Sequence, residues 1–126
     1  MNERGDTRVQ AVMTSPVETI SAETSVREAA TRMRDNGFNA LLVPGGRAGI
    51  VTSTDVLDVV ADSRDPDDVT VGNVMTKPVE SVTTDLRLEE AAAMMANYGI
   101  NHLPVRDDDR DYVGMVSSTD LRETLF

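Results

Sequence analysis

Two seven-residue stretches gather the side chains best suited to holding a polar ligand: GIVTSTD, Gly49 to Asp55, and GMVSSTD, Gly114 to Asp120. Each sets a run of hydroxyls (Thr52, Ser53 and Thr54, or Ser117, Ser118 and Thr119) just ahead of a carboxylate, Asp55 or Asp120. Hydroxyls donate to phosphate oxygens, whereas an ionised carboxylate only accepts, and so takes the two hydroxyls of a ribose diol. A helix beginning within the stretch adds its unpaired first N–H groups and the positive end of its dipole, both favourable to a phosphate. A nucleoside phosphate uses the two chemistries at once. The local alternative is that Thr54 with Asp55, and Thr119 with Asp120, simply cap helices, since Ser, Thr and Asp are the preferred capping residues. Capping alone leaves the earlier hydroxyls unexplained in both copies.

The stretch recurs because the unit around it recurs. VQAVMTSPVETI, Val9 to Ile20, aligns with VGNVMTKPVESV, Val71 to Val82, at an offset of 62 that holds without a gap to Val43 and Val105. After three extra residues in the second copy, the alignment resumes at Gly49 and Gly114. Over the first stretch 15 of 35 positions are identical, and over Gly49 to Val56 5 of 8, more than compositionally ordinary segments share by chance.

Each copy reads as strand, helix, strand, strand, helix. Val17 to Ile20 and Val79 to Val82 follow a proline and suit an extended start. Val26, Ala29, Ala30 and Met33, and then Leu88, Ala91, Ala92 and Met95, recur at helical spacing. Ser25 with Glu28 fits a capping box, Asp85 fits an N-cap, and Gly37 and Gly99 stand where a left-handed C-cap belongs. NALLV and NHLPV then read as buried strands, each followed by a turn, a second strand (GIVTS or GMVSS) and a helix begun near Thr54 or Thr119. The expected organisation is a disordered N-terminus over 1–8, repeat one over 9–61, a Pro- and Asp-rich linker over 62–70, and repeat two over 71–126. A unit of about 60 residues is marginal alone. The expected fold class is therefore α+β, two βαββα repeats packed through their sheets about a pseudo-two-fold axis.

In this order, VMT-x-PV, helix, LPV-type strand and G-h-h-[ST]-x-x-D resemble the cystathionine β-synthase (CBS) domain, here as a tandem pair or Bateman module with no catalytic domain attached. The resemblance spans 9–61 and 71–125. It implies a non-catalytic regulatory module that binds an adenosine-containing ligand (AMP, ADP, ATP or S-adenosylmethionine) in crevices combining elements of both repeats. It further implies a homodimer and a separate target protein that reads the ligand's effect. No cofactor is obligatory, and AMP, ADP or ATP is the expected regulatory ligand. Carried onto this sequence, Asp55 and Asp120 are the ribose acceptors, and Thr52, Thr54, Ser117 and Thr119 contact the phosphates. The position before the LPV-type strand often faces the phosphates in the family, and here it is Ala40 in one copy and His102 in the other. The lone His102 either donates to a phosphate when protonated or satisfies a hydrogen bond in the core. Adenine pockets in the family use apolar residues and backbone near the first strand, which match Thr19 to Ser21 and Val82 to Thr83, with Ile20 and Val82 as the apolar members.

Composition narrows the remaining classes. The absence of Cys and the single His exclude disulfide frameworks and zinc clusters. A net charge of −10, with Lys77 the only lysine, opposes nucleic acid and anionic membranes. The same acidity points to a protein adapted to high salt, where screening relieves self-repulsion; an acidic protein of ordinary salt is the alternative. No apolar run spans a bilayer and the N-terminus lacks a signal-peptide core, so a cytoplasmic location is expected. RGD at Arg4 to Asp6 reads as chance, DDDRD at Asp107 to Asp111 as a solvated turn, and Met33, Met94 and Met95 as core filler. No catalytic triad order, Walker motif or HExxH is present. A ligand-free dimerisation or protein-interaction scaffold is the alternative function, and a divalent cation accompanying the nucleotide is a third reading.

Overall fold

A computed structural model describes residues 7–125. The RGD tripeptide and most of the expected disordered N-terminus lie outside the described residues. After a 3-10 turn at Val9–Ala11, the described residues form α1 (Val26–Asn36), β1 (Ala40–Val43), β2 (Gly49–Thr52), α2 (Ser53–Ala61), α3 (Val71–Val74), β3 (Val82–Thr83), α4 (Leu88–Tyr98), β4 (His102–Arg106), β5 (Tyr112–Ser117) and α5 (Ser118–Leu125), in that order. The class is α+β with two sheets, β1-β2 and β3-β4-β5.

The compact units are offset from the sequence repeats. One is Glu18–Val79; the other joins Met1–Val17 to Glu80–Phe126. The leading segment of each repeat therefore belongs to the body of the other. In the Glu18–Val79 unit, Val71 is fully buried with Ile20, Ala29, Met33, Leu41, Val43 and Val51. In the second unit Val9 holds the corresponding place, fully buried among Val82, Leu88, Ala91, Met95, Leu103, Val105, Val116 and Leu121. Backbone bonds repeat the arrangement: Val71 N–H donates to Thr24 O and Val9 N–H to Leu86 O, both at 2.8 Å.

Glycine is needed where these segments cross the second long strand of each unit. A Cβ on Gly49 would stand 2.7 Å from Met75 Sδ and 3.0 Å from Thr76 O; on Gly114 it would stand 2.6 Å from Met13 Sδ and 2.9 Å from Thr14 O. The same segments bridge to the strands as Ile50–Thr76 and Met115–Thr14, and each continues into a cis proline, Pro78 or Pro16.

The helix signals hold. Val26, Ala29 and Met33 are buried on α1, and Leu88, Ala91 and Met95 on α4, at the expected spacing. Gly37 and Gly99 end these helices at φ 71° and 66°, the left-handed region that glycine enters without a Cβ clash. Ser25 Oγ accepts from Glu28 N–H at 3.1 Å. Asp85 is not an N-cap: Arg87 occupies that position, and Asp85 Oδ1 instead accepts from Thr83 Oγ1 at 2.7 Å.

The expected first strands are shorter than their apolar runs. Of Val79 to Val82 only Val82 enters a strand, β3, which runs parallel to β4. Val17 to Ile20 contributes a single parallel bridge, Thr19 to Leu42, because the chain turns at once, with Thr24 N–H donating to Ser21 O at 3.1 Å. The 62–70 segment is packed rather than free: Val69 is 4% exposed, and its carbonyl accepts from Val26 N–H at 2.8 Å. Thr7 and Arg8, placed by the sequence in the terminal segment, meet the start of α4, where Thr7 O accepts from Leu88 N–H at 3.2 Å.

Candidate functional site

Each unit turns a corner where a strand runs straight into a helix, β2 into α2 or β5 into α5, and the seven-residue motif forms that corner. Thr52 is extended (φ −122°, ψ 168°) and is the N-cap of α2. Its N–H donates to Asp55 Oδ2 at 2.8 Å, and its hydroxyl lies 3.3 Å from the same oxygen. In the second unit Ser117 N–H donates to Asp120 Oδ2 at 2.9 Å, and Asp120 N–H donates back to Ser117 Oγ at 3.2 Å. Both corners are capping boxes. The capping residues are Thr52 and Ser117, two positions before the Thr54 and Thr119 of the capping alternative; the latter pair lie exposed in the first helical turn.

The boxes change what each corner offers a ligand. The N–H groups of Thr52 and Ser117 are held by carboxylates, and those of Ser53 and Ser118 donate to Asn39 O and Asn101 O, each at 2.9 Å. Much of the donor set expected at a helix start is thus already engaged. What is open is the second carboxylate oxygen, Oδ1, of Asp55 and of Asp120, which accepts no hydrogen bond among the described residues, together with the hydroxyls of Thr54 and Thr119. Both carboxylates are half-buried, so an incoming hydroxyl reaches an acceptor partly shielded from water.

His102 belongs to one corner. In the β4–β5 ladder it is the direct cross-strand partner of Ser117, as Ala40 is of Thr52 in the β1–β2 ladder. Burial pushes the His102 pKa below its ordinary value of 6.5, while the negative charge of Asp120 pulls it upward. The imidazole therefore sits in the field of the Asp120 carboxylate, across the ladder from Ser117, and the Ala40 corner has no counterpart to it.

Ile20 and Val82 are core residues, 3% and 5% exposed. Their side chains pack inward; the exposed members of the stretches expected near adenine are Thr19, Ser21 and Thr83. Sequence reasoning missed the part played by Asn39 and Asn101, whose carbonyls tie down the starts of α2 and α5. Their identity in NALLV and NHLPV was the available signal.

A family model described as CBS domain matches residues 9–62 and 71–126. The chain belongs to the CBS-domain family. An uncharacterized protein of Methanopyrus kandleri is 34% identical over 103 residues, covering 79% of this chain and 52% of the relative, so the chain spans about half that protein's length. The CBS domain pair of protein MJ0100, solved in complex with 5'-methylthioadenosine and S-adenosyl-L-methionine, superposes with a TM-score of 0.84 at 30% identity, covering 94% of this chain and 95% of that one. A hexameric CBS-CP12 protein from bloom-forming cyanobacteria gives 0.86 at 30% identity over 92% of this chain and 66% of its own. Among the described residues of this CBS pair, no helix is long and apolar enough to cross a membrane.

Proposed function

We propose that the CBS pair is a non-catalytic regulatory module whose strand-to-helix corners bind an adenosine-containing ligand, of the AMP, ADP or ATP class where His102 is present. The observation that carries this reading is the repetition of one open acceptor in one setting. Asp55 and Asp120 each commit Oδ2 to a capping box and leave Oδ1 for a ribose hydroxyl. The adenosine moiety shared by the two ligands of the MJ0100 pair supports it. Thr52, Ser117 and the exposed Thr54 and Thr119 supply hydroxyls toward the ligand's tail, and His102 adds a donor when protonated. Backbone beside Ile20 and Val82 lines the adenine. The module acts as a homodimer whose conformation a separate target protein reads, which requires different ligand affinities in its two arrangements.

Thermal melting of the purified chain with AMP, ADP, ATP, 5'-methylthioadenosine and S-adenosylmethionine tests the proposal. A true ligand at 100 times its dissociation constant stabilises by about 2.7 kcal/mol. No shift with any of the five refutes it. A second reading, a ligand-free dimerisation or interaction scaffold, is favoured by one observation: the capping boxes already give Thr52, Asp55, Ser117 and Asp120 a structural role. It predicts the same flat melting series.

A further inference from the structure

Two pairs of methionines are kept by both repeats: Met33 with Met95, and Met13 with Met75. The first pair is buried on α1 and α4, 6% and 5% exposed. The second pair is half-buried. Met75 packs on the core of the Glu18–Val79 unit and Met13 on the core of the other. Each follows by four residues the buried valine of its leading segment, Val71 or Val9. Met75 N–H donates to Val71 O at 2.9 Å and Met13 N–H to Val9 O at 3.0 Å, so valine and methionine come from one helical turn and share a face.

Each leading segment is therefore held by three kinds of contact. The valine fills the core, and the thioether lies across Gly49 or Gly114. A pair of backbone bonds then joins the next residue to the strand: Ile50 N–H to Thr76 O at 3.0 Å and Thr76 N–H to Ile50 O at 2.9 Å, and likewise Met115 N–H to Thr14 O at 3.0 Å and Thr14 N–H to Met115 O at 2.8 Å. The seat of the thioether is tight on the glycine side, where even an added Cβ would stand 2.7 or 2.6 Å from Sδ. An apolar, flexible thioether suits such a seat, and its sulfur is also the atom that a peroxide oxidises. The chain has no cysteine, so its thioethers are its only sulfur.

We propose that Met13 and Met75 are matched oxidation sites at which a peroxide loosens the leading segments. The sulfur lone pair attacks one peroxide oxygen, and the O–O bond breaks as the S–O bond forms. The departing hydroxide takes the remaining peroxide proton, leaving sulfoxide and water; sulfur gives up two electrons and the peroxide gains them. The new oxygen has no room on the glycine face, and it is too polar to stay unpaired among apolar neighbours. The side chain therefore turns outward, and the segment opens from β2 or β5. A thiol-dependent sulfoxide reductase reverses the change, two thiols becoming a disulfide as water is released. None of this depends on a nucleotide.

Dilute hydrogen peroxide on the full chain, followed by peptide mass spectrometry and amide exchange, tests the proposal. Sulfoxide is expected at Met13 and Met75 well before Met33 and Met95. Once it forms, protection of the Ile50 and Met115 amides, which donate to the leading segments, should fall about tenfold or more, and the melting temperature should fall with it. Sulfoxide reductase with dithiothreitol should restore both. Met13→Leu with Met75→Leu in one chain, a swap that keeps volume, should hold its protection under the same peroxide, whereas Met94→Leu with Met115→Leu should lose it as wild type does. Met13 and Met75 staying unoxidised as long as Met33 and Met95, full sulfoxide at both with protection unchanged, or the chain carrying Met13→Leu and Met75→Leu losing protection like wild type would each overturn the inference.

Discussion

Gly114 lies directly beneath Met13, a residue from the opposite end of the chain: a Cβ on Gly114 would stand 2.6 Å from Met13 Sδ and 2.9 Å from Thr14 O. The thioether end of Met13 can swing aside, but the Thr14 carbonyl is bonded to Met115 N–H at 3.0 Å and has less room to move. Gly114→Ala, and Gly49→Ala against Met75 and Thr76, should therefore each destabilise by about 1–3 kcal/mol through overpacking. Gly46→Ala, with nothing within 4 Å of the added methyl, is the control. Urea unfolding midpoints measure the difference.

The same exchange of segments predicts how fragments behave. A fragment cut at the sequence repeat, residues 9–61, lacks Val69 and Val71, which are buried in the Glu18–Val79 core. A fragment of residues 18–79 keeps them, with the Gly49–Met75 contact intact. Amide exchange should show stronger protection in the 18–79 fragment, and equal or weaker protection there would contradict the assignment of the leading segments.

Asp55→Ala and Asp120→Ala each remove a capping partner, at a cost of about 0.5–2 kcal/mol. A purely structural role ends there. If Oδ1 also holds a ribose hydroxyl, the variants lose the ligand-induced rise in melting temperature as well as the cap. Ser25→Ala is the comparison, since it removes the cap bond of α1 and leaves both corners in place.

His102 gives one corner a pH dependence. Burial holds its folded pKa below the ordinary 6.5. Between the two values the unfolded chain binds the extra proton, so this residue's contribution to stability is full above pH 6.5 and falls as pH drops through that window. The difference in unfolding free energy between wild type and His102→Gln should shrink toward lower pH. A bound phosphate favours imidazolium, so AMP affinity should rise from pH 7.5 to pH 6 in wild type and stay flatter in His102→Ala. The uncharged tail of 5'-methylthioadenosine should show no such slope in isothermal titration.

The acidity carries its own test. With a net charge of −10, raising the salt concentration toward 1 M should raise the melting temperature by screening self-repulsion. The exposed ion pairs of Arg27 with Asp65 and Asp67 are weak enough at the surface not to reverse the sign. A melting temperature that falls with added KCl would count against salt adaptation.

The features legible in the amino-acid order alone are local or repeated. The spacing of Val26, Ala29 and Met33 and of their partners, and Gly37 and Gly99 as left-handed caps, depend on periodicity and on the backbone freedom of single residues. The duplication is visible because both copies keep the same glycines and hydroxyls. Tertiary structure decided what depends on distant partners. Whether Val17 to Ile20 extends as a strand depended on where the next turn fell. Asp85 lost the capping position to Arg87, since two residues of register move a side chain out of reach of the helix start. The use of Thr52 rather than Thr54 to cap α2 was set by the strand partner that holds Thr52 extended opposite Ala40. Above all, the pairing of Met13 with Gly114 and of Met75 with Gly49 joins residues from different repeats. Two similar segments, sharing 5 of 8 residues over 9–16 and 71–78, fit either body by local propensity, and close packing against specific neighbours assigns each to its place.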